Sequence, residues 1–281
     1  MTYHEEIADK LRAGERVVGW HLHKNGCGLV QDTAFVEDEA YIGERAQVCG
    51  SARVYGSARV YGSARVCDSA QVCNSARVYG SALVGNSAQV CGSAQVYDSA
   101  QVCGSARVYG SALVYDSARV GGSALVYDSA QVCNSAQVYG SALVYDSALV
   151  GNSAQVCGSA QVYDSAQVCG SARVYGSALV YDSARVGGSA RVGGSARVAS
   201  LIDLIYVAHG RYGVTAYRDK DGVAWMCYGC ELHQLKEWPK LHLKLARMHM
   251  PKDAAIYARI TREAAKFVAK MLPKAKKRES K

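Results

Sequence analysis

Valine occupies every sixth position from Val48 to Val198, 26 times without a slip, and the phase runs back through Ile42, Val36 and Val30. An alanine stands four residues after each of these positions up to Val192, from Ala34 through Ala196. The unit is A-x-V-x-[G/D/N]-S, with Arg, Gln or Leu before most valines and Tyr, Cys or Gly after them. The alternation within A-x-V-x predicts a four-residue strand with Ala and Val on one face. The two residues that follow predict a corner, because Gly, Asn and Asp tolerate positive φ and Ser bonds nearby backbone. A period of six with a branched residue and Gly-Ser in most units excludes an amphipathic helix.

A strand of four and a corner of two, repeated strictly, coil into a solenoid. Three hexads per turn give a triangular prism with Ala and Val filling a narrow dry interior. Strand spacing of about 4.8 Å makes a rod of roughly 46 Å. Residues on either side of Val point outward, which explains why they drift while Val does not.

The segments flanking the repeat differ in character. Residues 3–13 predict a short helix, with Ile7 and Leu11 four apart and Gly14 ending it. "RVVGWHLHKNGCGLV" then leads into the first coil, and His21 and His23 on one strand face would form a candidate metal pair. After Val198 the pattern predicts three strands, the last two joined by a hairpin at Asp219–Gly222. "CELHQLKEWPKLHLKLARMHM" predicts a helix interrupted at Pro239. A second helix begins near Asp253 as N-cap, with an apolar stripe of Ile256, Ile260, Ala264, Phe267, Val268 and Met271. The expected organisation is an N-terminal helix and cap (1–29), the hexapeptide coil (30–200), a β-β-β-α-α cap (201–272) and a basic disordered tail (273–281).

The A-x-V-x-[G/D/N]-S hexads resemble those of left-handed parallel β-helix proteins, and the left hand is taken from that resemblance. The expected fold is mainly β, a left-handed parallel β-helix with a small C-terminal α+β cap. More narrowly, Trp20, the hexads, Asp221-Gly222-Val223, Gly229-Cys230, Leu235, Glu237 and Trp238 are similar to hexapeptide-repeat proteins of bacteriophages and prophages. That resemblance implies a phage or prophage origin but carries no settled biochemical role, since fold does not give function.

Sorted by side of the prism, the residue after Val forms columns. One column runs Tyr61, Tyr79, Tyr97 and Tyr115; another runs Tyr109, Tyr127, Tyr145, Tyr163 and Tyr181. These exposed ladders, flanked by Arg, Gln and Leu, are the candidate binding surface for a protein partner or a second copy of the chain. Beside the second ladder Asp128, Asp146, Asp164 and Asp182 stack at one corner, each expected to cap its own turn. Ser81–Ala124 and Ser147–Ala190 are identical at an offset of 66 residues. Eleven hexads is not a multiple of three, so the copy moves each side chain to another face, which suits a scaffold better than a single-face site.

Some β-helix relatives are acyltransferases that activate an acceptor with a His beside the coil. Here the repeat holds no His between His23 and His209. An enzyme is therefore not expected, and His209 or His233 would be the base if one existed. Threonine ladders of the ice-binding kind are absent, because Thr33 is the last Thr before residue 201. No cofactor is expected. A zinc alternative rests on Cys227 and Cys230 with His233 and either His242 or His209, although one C-x-x-C specifies little.

Charge is uneven. Residues 1–47 carry 5 basic and 9 acidic side chains, 48–200 carry 10 and 7, and 201–281 carry 17 and 8. The basic end makes residues 201–281 a candidate nucleic-acid surface. No apolar run is long enough to span a bilayer and the N-terminus lacks a secretory signal, so a cytoplasmic protein is expected, with no membrane partner. Of 11 Cys, eight lie in the repeat and interchange with Tyr and Gly. They are expected to be reduced thiols rather than a disulfide framework.

Overall fold

The computed structural model describes residues 3–199, 204–209, 212–218, 223–228, 231–249 and 254–271. From Leu29 to Val198 the chain winds as a three-sided parallel β-solenoid of about nine turns. Each hexad supplies one short strand, which pairs in register with the strand 18 residues on, as Arg53 with Gln71 and Val54 with Val72. Three sheets of eleven, nine and ten strands result. The strands are shorter than expected, two residues (x-V) rather than four. The flanking positions still bond between rungs: Arg53 N–H donates to Ala70 C=O at 2.8 Å and Tyr55 N–H to Val72 C=O at 3.0 Å.

Every repeat Ala and Val from Ala40 to Val192, with Ile42 at one Val position, is fully buried. Each buried Val is worth about 1.5–3 kcal/mol relative to exposure, and the short Ala side chain lets the three walls approach closely. The corner is equally regular. All corner residues from Gly50 to Gly194 have positive φ, whether Gly, Asp or Asn. At Gly50 (φ 69°) a Cβ would meet the Asp68 amide nitrogen at 2.8 Å, so here glycine answers close approach as well as backbone conformation.

The duplicated segment changes faces as its offset requires. Leu83–Val84 lies in the eleven-stranded sheet and its copy, Leu149–Val150, in the nine-stranded one.

The first rung is covered by the segment before it. Trp20–Leu22 pairs antiparallel with Leu29–Gln31, and Gly28 N–H donates to Ile42 C=O at 2.8 Å. The helix Tyr3–Arg12 buries Ile7 and Ala8. It ends in a Schellman motif, with Gly14 at φ 84° and the Glu15 N–H on Lys10 C=O at 2.9 Å.

The C-terminal segment corrects the expected three strands to four. Leu204–His209, Tyr212–Arg218, Ala224–Tyr228 and Glu231–Gln234 form one antiparallel sheet, followed by helices Trp238–His249 and Ala254–Met271. "ELHQ", expected to be helical, pairs instead with Trp225–Tyr228. Pro239 opens its helix rather than interrupting it, because a first-turn proline forfeits no intrahelical bond. The predicted turn at Asp219–Gly222, the Asp253 cap and the tail 273–281 lie outside the described residues.

Period-two alternation divides the sheet between two cores. Tyr217 joins the solenoid core and Trp225 packs against it. The Thr215 hydroxyl accepts the Arg191 N–H at 2.9 Å. Ala216 and Met226 turn the other way, onto Trp238, Leu245, Ala258, Ala264, Ala265 and Val268. Trp238 is fully buried and donates its indole N–H to Met226 C=O at 3.0 Å.

Candidate interaction surfaces

In-register pairing places like side chains above one another, and the tyrosine columns become ring stacks. On the nine-stranded sheet Tyr61, Tyr79, Tyr97 and Tyr115 stack with centroids 4.8–5.1 Å apart and planes within 3°. On the ten-stranded sheet Tyr109, Tyr127, Tyr145, Tyr163 and Tyr181 stack at 4.9–5.3 Å. Ring spacing follows rung spacing, so the β-coil sets the aromatic geometry. Each interior ring covers both neighbours, which leaves the interior rings half-buried, whereas the terminal Tyr109 is 38% exposed.

The stacks also carry polar links that the hexad period does not reveal. Tyr79 Oη donates to Gln95 Oε1 at 3.1 Å and Tyr115 Oη to Gln131 Oε1 at 3.4 Å, a spacing of 16 residues. Burial pushes Tyr145 up to about 12, with the flanking Tyr163 and Tyr127 adding to it. Tyr115 also rises to about 12, first through its hydrogen bond with Cys133 and then through burial. Tyr145 and Tyr115 therefore stay neutral phenols throughout the ordinary pH range.

Of the corner aspartates, Asp68, Asp116, Asp146 and Asp164 reach the next rung rather than their own turn. Asp68 Oδ2 accepts the Asn86 N–H at 2.8 Å, and Asp146 and Asp164 accept from Asp164 and Asp182 at 3.3 and 3.1 Å. Each of these carboxylates satisfies the amide of the next rung, which for Asp146 and Asp164 keeps it close to a donor despite the like charge above it.

The expectation of reduced repeat cysteines is corrected at one place. Cys73 and Cys91, adjacent rungs of the ten-stranded sheet with Cα atoms 4.7 Å apart, form a disulfide. Register explains it, since an offset of 18 residues brings two Cys within disulfide reach. Cys49, Cys67, Cys103, Cys133, Cys157 and Cys169 remain free.

The histidine pair separates. His21 Nδ1 lies 2.8 Å from Asp32 Oδ1 at the surface, whereas His23 is buried with Nδ1 against the Asn25 backbone. Of the zinc candidates, Cys230 lies outside the described residues, as do the side chains of Cys227, His209 and His242. His233, the other candidate base of the acyltransferase alternative, packs edge-on against Trp238 at 5.6 Å. Among the described residues no group of three or more His, Cys, Asp or Glu is placed to hold a metal.

Two grooves flank these surfaces. One of about 580 Å³ lies between the N-terminal helix and the first coils, lined by His4, Arg12, Glu44, Arg45, Gln47 and Arg65 among others. The other, about 650 Å³ and mainly apolar, has Leu235, Pro239 and Ala265 in its wall and Lys236, Arg262 and Lys266 at its rim.

The coil, its packed Ala–Val interior and its ladders define a β-solenoid repeat protein. A family model described as the YdcK beta solenoid repeat matches residues 46–62, 52–68, 100–116, 136–152 and 166–182, so these stretches are similar to that repeat. No curated protein and no solved structure matches the chain. Among the described residues no helix is long and apolar enough to cross a membrane.

Proposed function

We propose that this chain is a non-enzymatic scaffold that binds a protein partner, or a second copy of itself, through its tyrosine ladders and its C-terminal sheet and helices. The observation that carries the reading is the pair of continuous ring stacks on two faces of one rigid rod. Pre-stacked tyrosines lose little conformational freedom on binding and offer apolar faces with hydroxyl edges, the chemistry of protein interfaces. The resemblance to phage and prophage hexapeptide proteins supports an origin there and expression in the cytoplasm of a bacterial host.

The test is photocrosslinking from single positions in expressing cells. A crosslinker at Tyr127 or Tyr97 is expected to capture a defined protein or a second copy, while one at Gly121 on the eleven-stranded face captures neither. Equal labelling from all three positions, or none from the ladders, overturns the reading.

Nucleic-acid binding by residues 201–281 is the second reading, supported by the excess of 17 basic over 8 acidic side chains and the cationic rim at Lys236, Arg262 and Lys266. A gel shift that weakens steeply with salt would support it, and no shift at low salt removes it.

A further inference from the structure

Cys49 and Cys67 occupy adjacent rungs of the eleven-stranded sheet. Gln47 pairs with Arg65 and Val48 with Val66, and the Cys49 N–H donates to Val66 C=O at 2.9 Å. This is the register that holds the Cys73–Cys91 disulfide on the neighbouring face. Unlike that pair, both thiols are free and partly exposed. Gly85 follows in the column and places no side chain on Cys67 Sγ, which a Cβ there would touch at 3.8 Å.

The neighbouring Cys67 thiol, helped by the Arg65 guanidinium, brings Cys49 down to about 7 against burial and the Asp68 carboxylate. Its partner Cys67 is pushed up by the Cys49 neighbour and by burial. Arg65 also lines the groove of about 580 Å³ beneath the N-terminal helix, where Arg12 is paired with Asp9 and Glu44. An attacking thiol, a resolving thiol one rung away and the Arg65 guanidinium are therefore in one place.

We propose that Cys49 and Cys67 are a reversible thiol–disulfide site that exchanges with small-molecule disulfides. The Cys49 thiolate attacks one sulfur of the small disulfide, whose S–S bond breaks and releases the first thiolate. Cys67 is then relieved of its thiolate neighbour and loses its proton to that leaving group. It attacks Cys49 Sγ, closing the bridge between rungs and expelling the second small thiolate, which takes a proton from solvent. Two protein thiols are oxidised and one small disulfide becomes two thiols. The site does not depend on the ladders binding anything.

The test is equilibration of the full chain in buffers of varied oxidised-to-reduced glutathione ratio, followed by acid quenching, alkylation and tryptic mapping without reduction. The bridge joins peptides 46–53 and 66–77, whereas the Cys73–Cys91 bridge joins 66–77 to 78–107. The expected result is that peptide 46–53 joins and leaves the 66–77/78–107 species reversibly with the ratio, with glutathione trapped on Cys49 in Cys67→Ser. The Cys73→Ser/Cys91→Ser chain should give a 46–53/66–77 species with the same dependence on the ratio, and the native chain reports through its three-peptide species should that variant fail to fold. Absence of the linked peptide at every ratio, or its persistence in fully reducing buffer, overturns the proposal. So does equal glutathione capture by Cys103 or Cys157.

Discussion

Asp164 Oδ2 accepts the amide N–H of Asp182, one rung further along, at 3.1 Å. Asp164 itself sits at φ 56°, so the residue answers two demands: a left-handed corner and an acceptor for its neighbour. The demands separate by substitution. Asp164→Gly keeps the corner and loses the acceptor, and should cost no more than about 1 kcal/mol because the amide lies at the surface. Asp164→Ala loses the acceptor and forces a Cβ-bearing residue without polar compensation into left-handed space, adding about 1–2 kcal/mol. Urea unfolding should rank wild type, Gly, Ala in falling stability. Equal loss in the two variants would mean that the corner is not strained.

The ladders predict an alkaline transition. Tyr145 and Tyr115 are held near 12 in the folded chain, against about 10 for tyrosine in an unfolded chain. Because the folded pKa is raised, the unfolded chain releases protons first. Stability from these groups is complete below pH 10 and falls as pH rises from 10 towards 12. Absorbance at 295 nm should show late-titrating phenols in the native chain and ordinary ones in urea. Replacing Tyr145 by Phe should remove one late phenol and soften the alkaline loss.

The Val/Ala period made the coil legible, and with it the ring columns, because a solenoid converts sequence period directly into spatial neighbours. What escaped was chemistry between rungs. The Tyr79–Gln95 bond spans 16 residues, and Asp68 serves Asn86 rather than its own turn, since each depends on side-chain reach across a 4.8 Å step. The Cys73–Cys91 bridge was within reach of the same offset of 18. Interchange of Cys with Tyr and Gly along the columns hid the two places where Cys follows Cys. In the C-terminal segment Glu231–Gln234 resembled a helix start because four residues are too few to establish a period. Its pairing with Trp225–Tyr228 decided it.

A dry interior can be tested with an isosteric change. Val126 is fully buried in the middle of the coil, and Val126→Thr keeps its shape while adding a hydroxyl among methyl groups. The cost should be about 1–3 kcal/mol for a polar group without a partner. Arg119→Lys, on the exposed surface, should stay within about 0.5 kcal/mol. Guanidinium unfolding monitored by circular dichroism measures both. A Val126→Thr cost as small as that of Arg119→Lys would mean that water reaches the interior.

Tyr217 and Thr215 close the far end of the coil by different means, and their variants should fail differently. The Tyr217 ring is 1% exposed and belongs to the solenoid core, so Tyr217→Ala opens a cavity against the last rung at about 3–5 kcal/mol. It also loosens the cover over the edge strands Arg185–Val186, Arg191–Val192 and Arg197–Val198, and an uncovered parallel edge is a template for another chain. Thr215→Val keeps the cover and strands only the Arg191 N–H, at about 1–3 kcal/mol. Sedimentation velocity should show Tyr217→Ala forming elongated assemblies that grow with concentration, while Thr215→Val is less stable but sediments like wild type. If both sediment like wild type, the final rung is protected by something other than this sheet. If both assemble, the Thr215–Arg191 bond is itself what holds the cover in place.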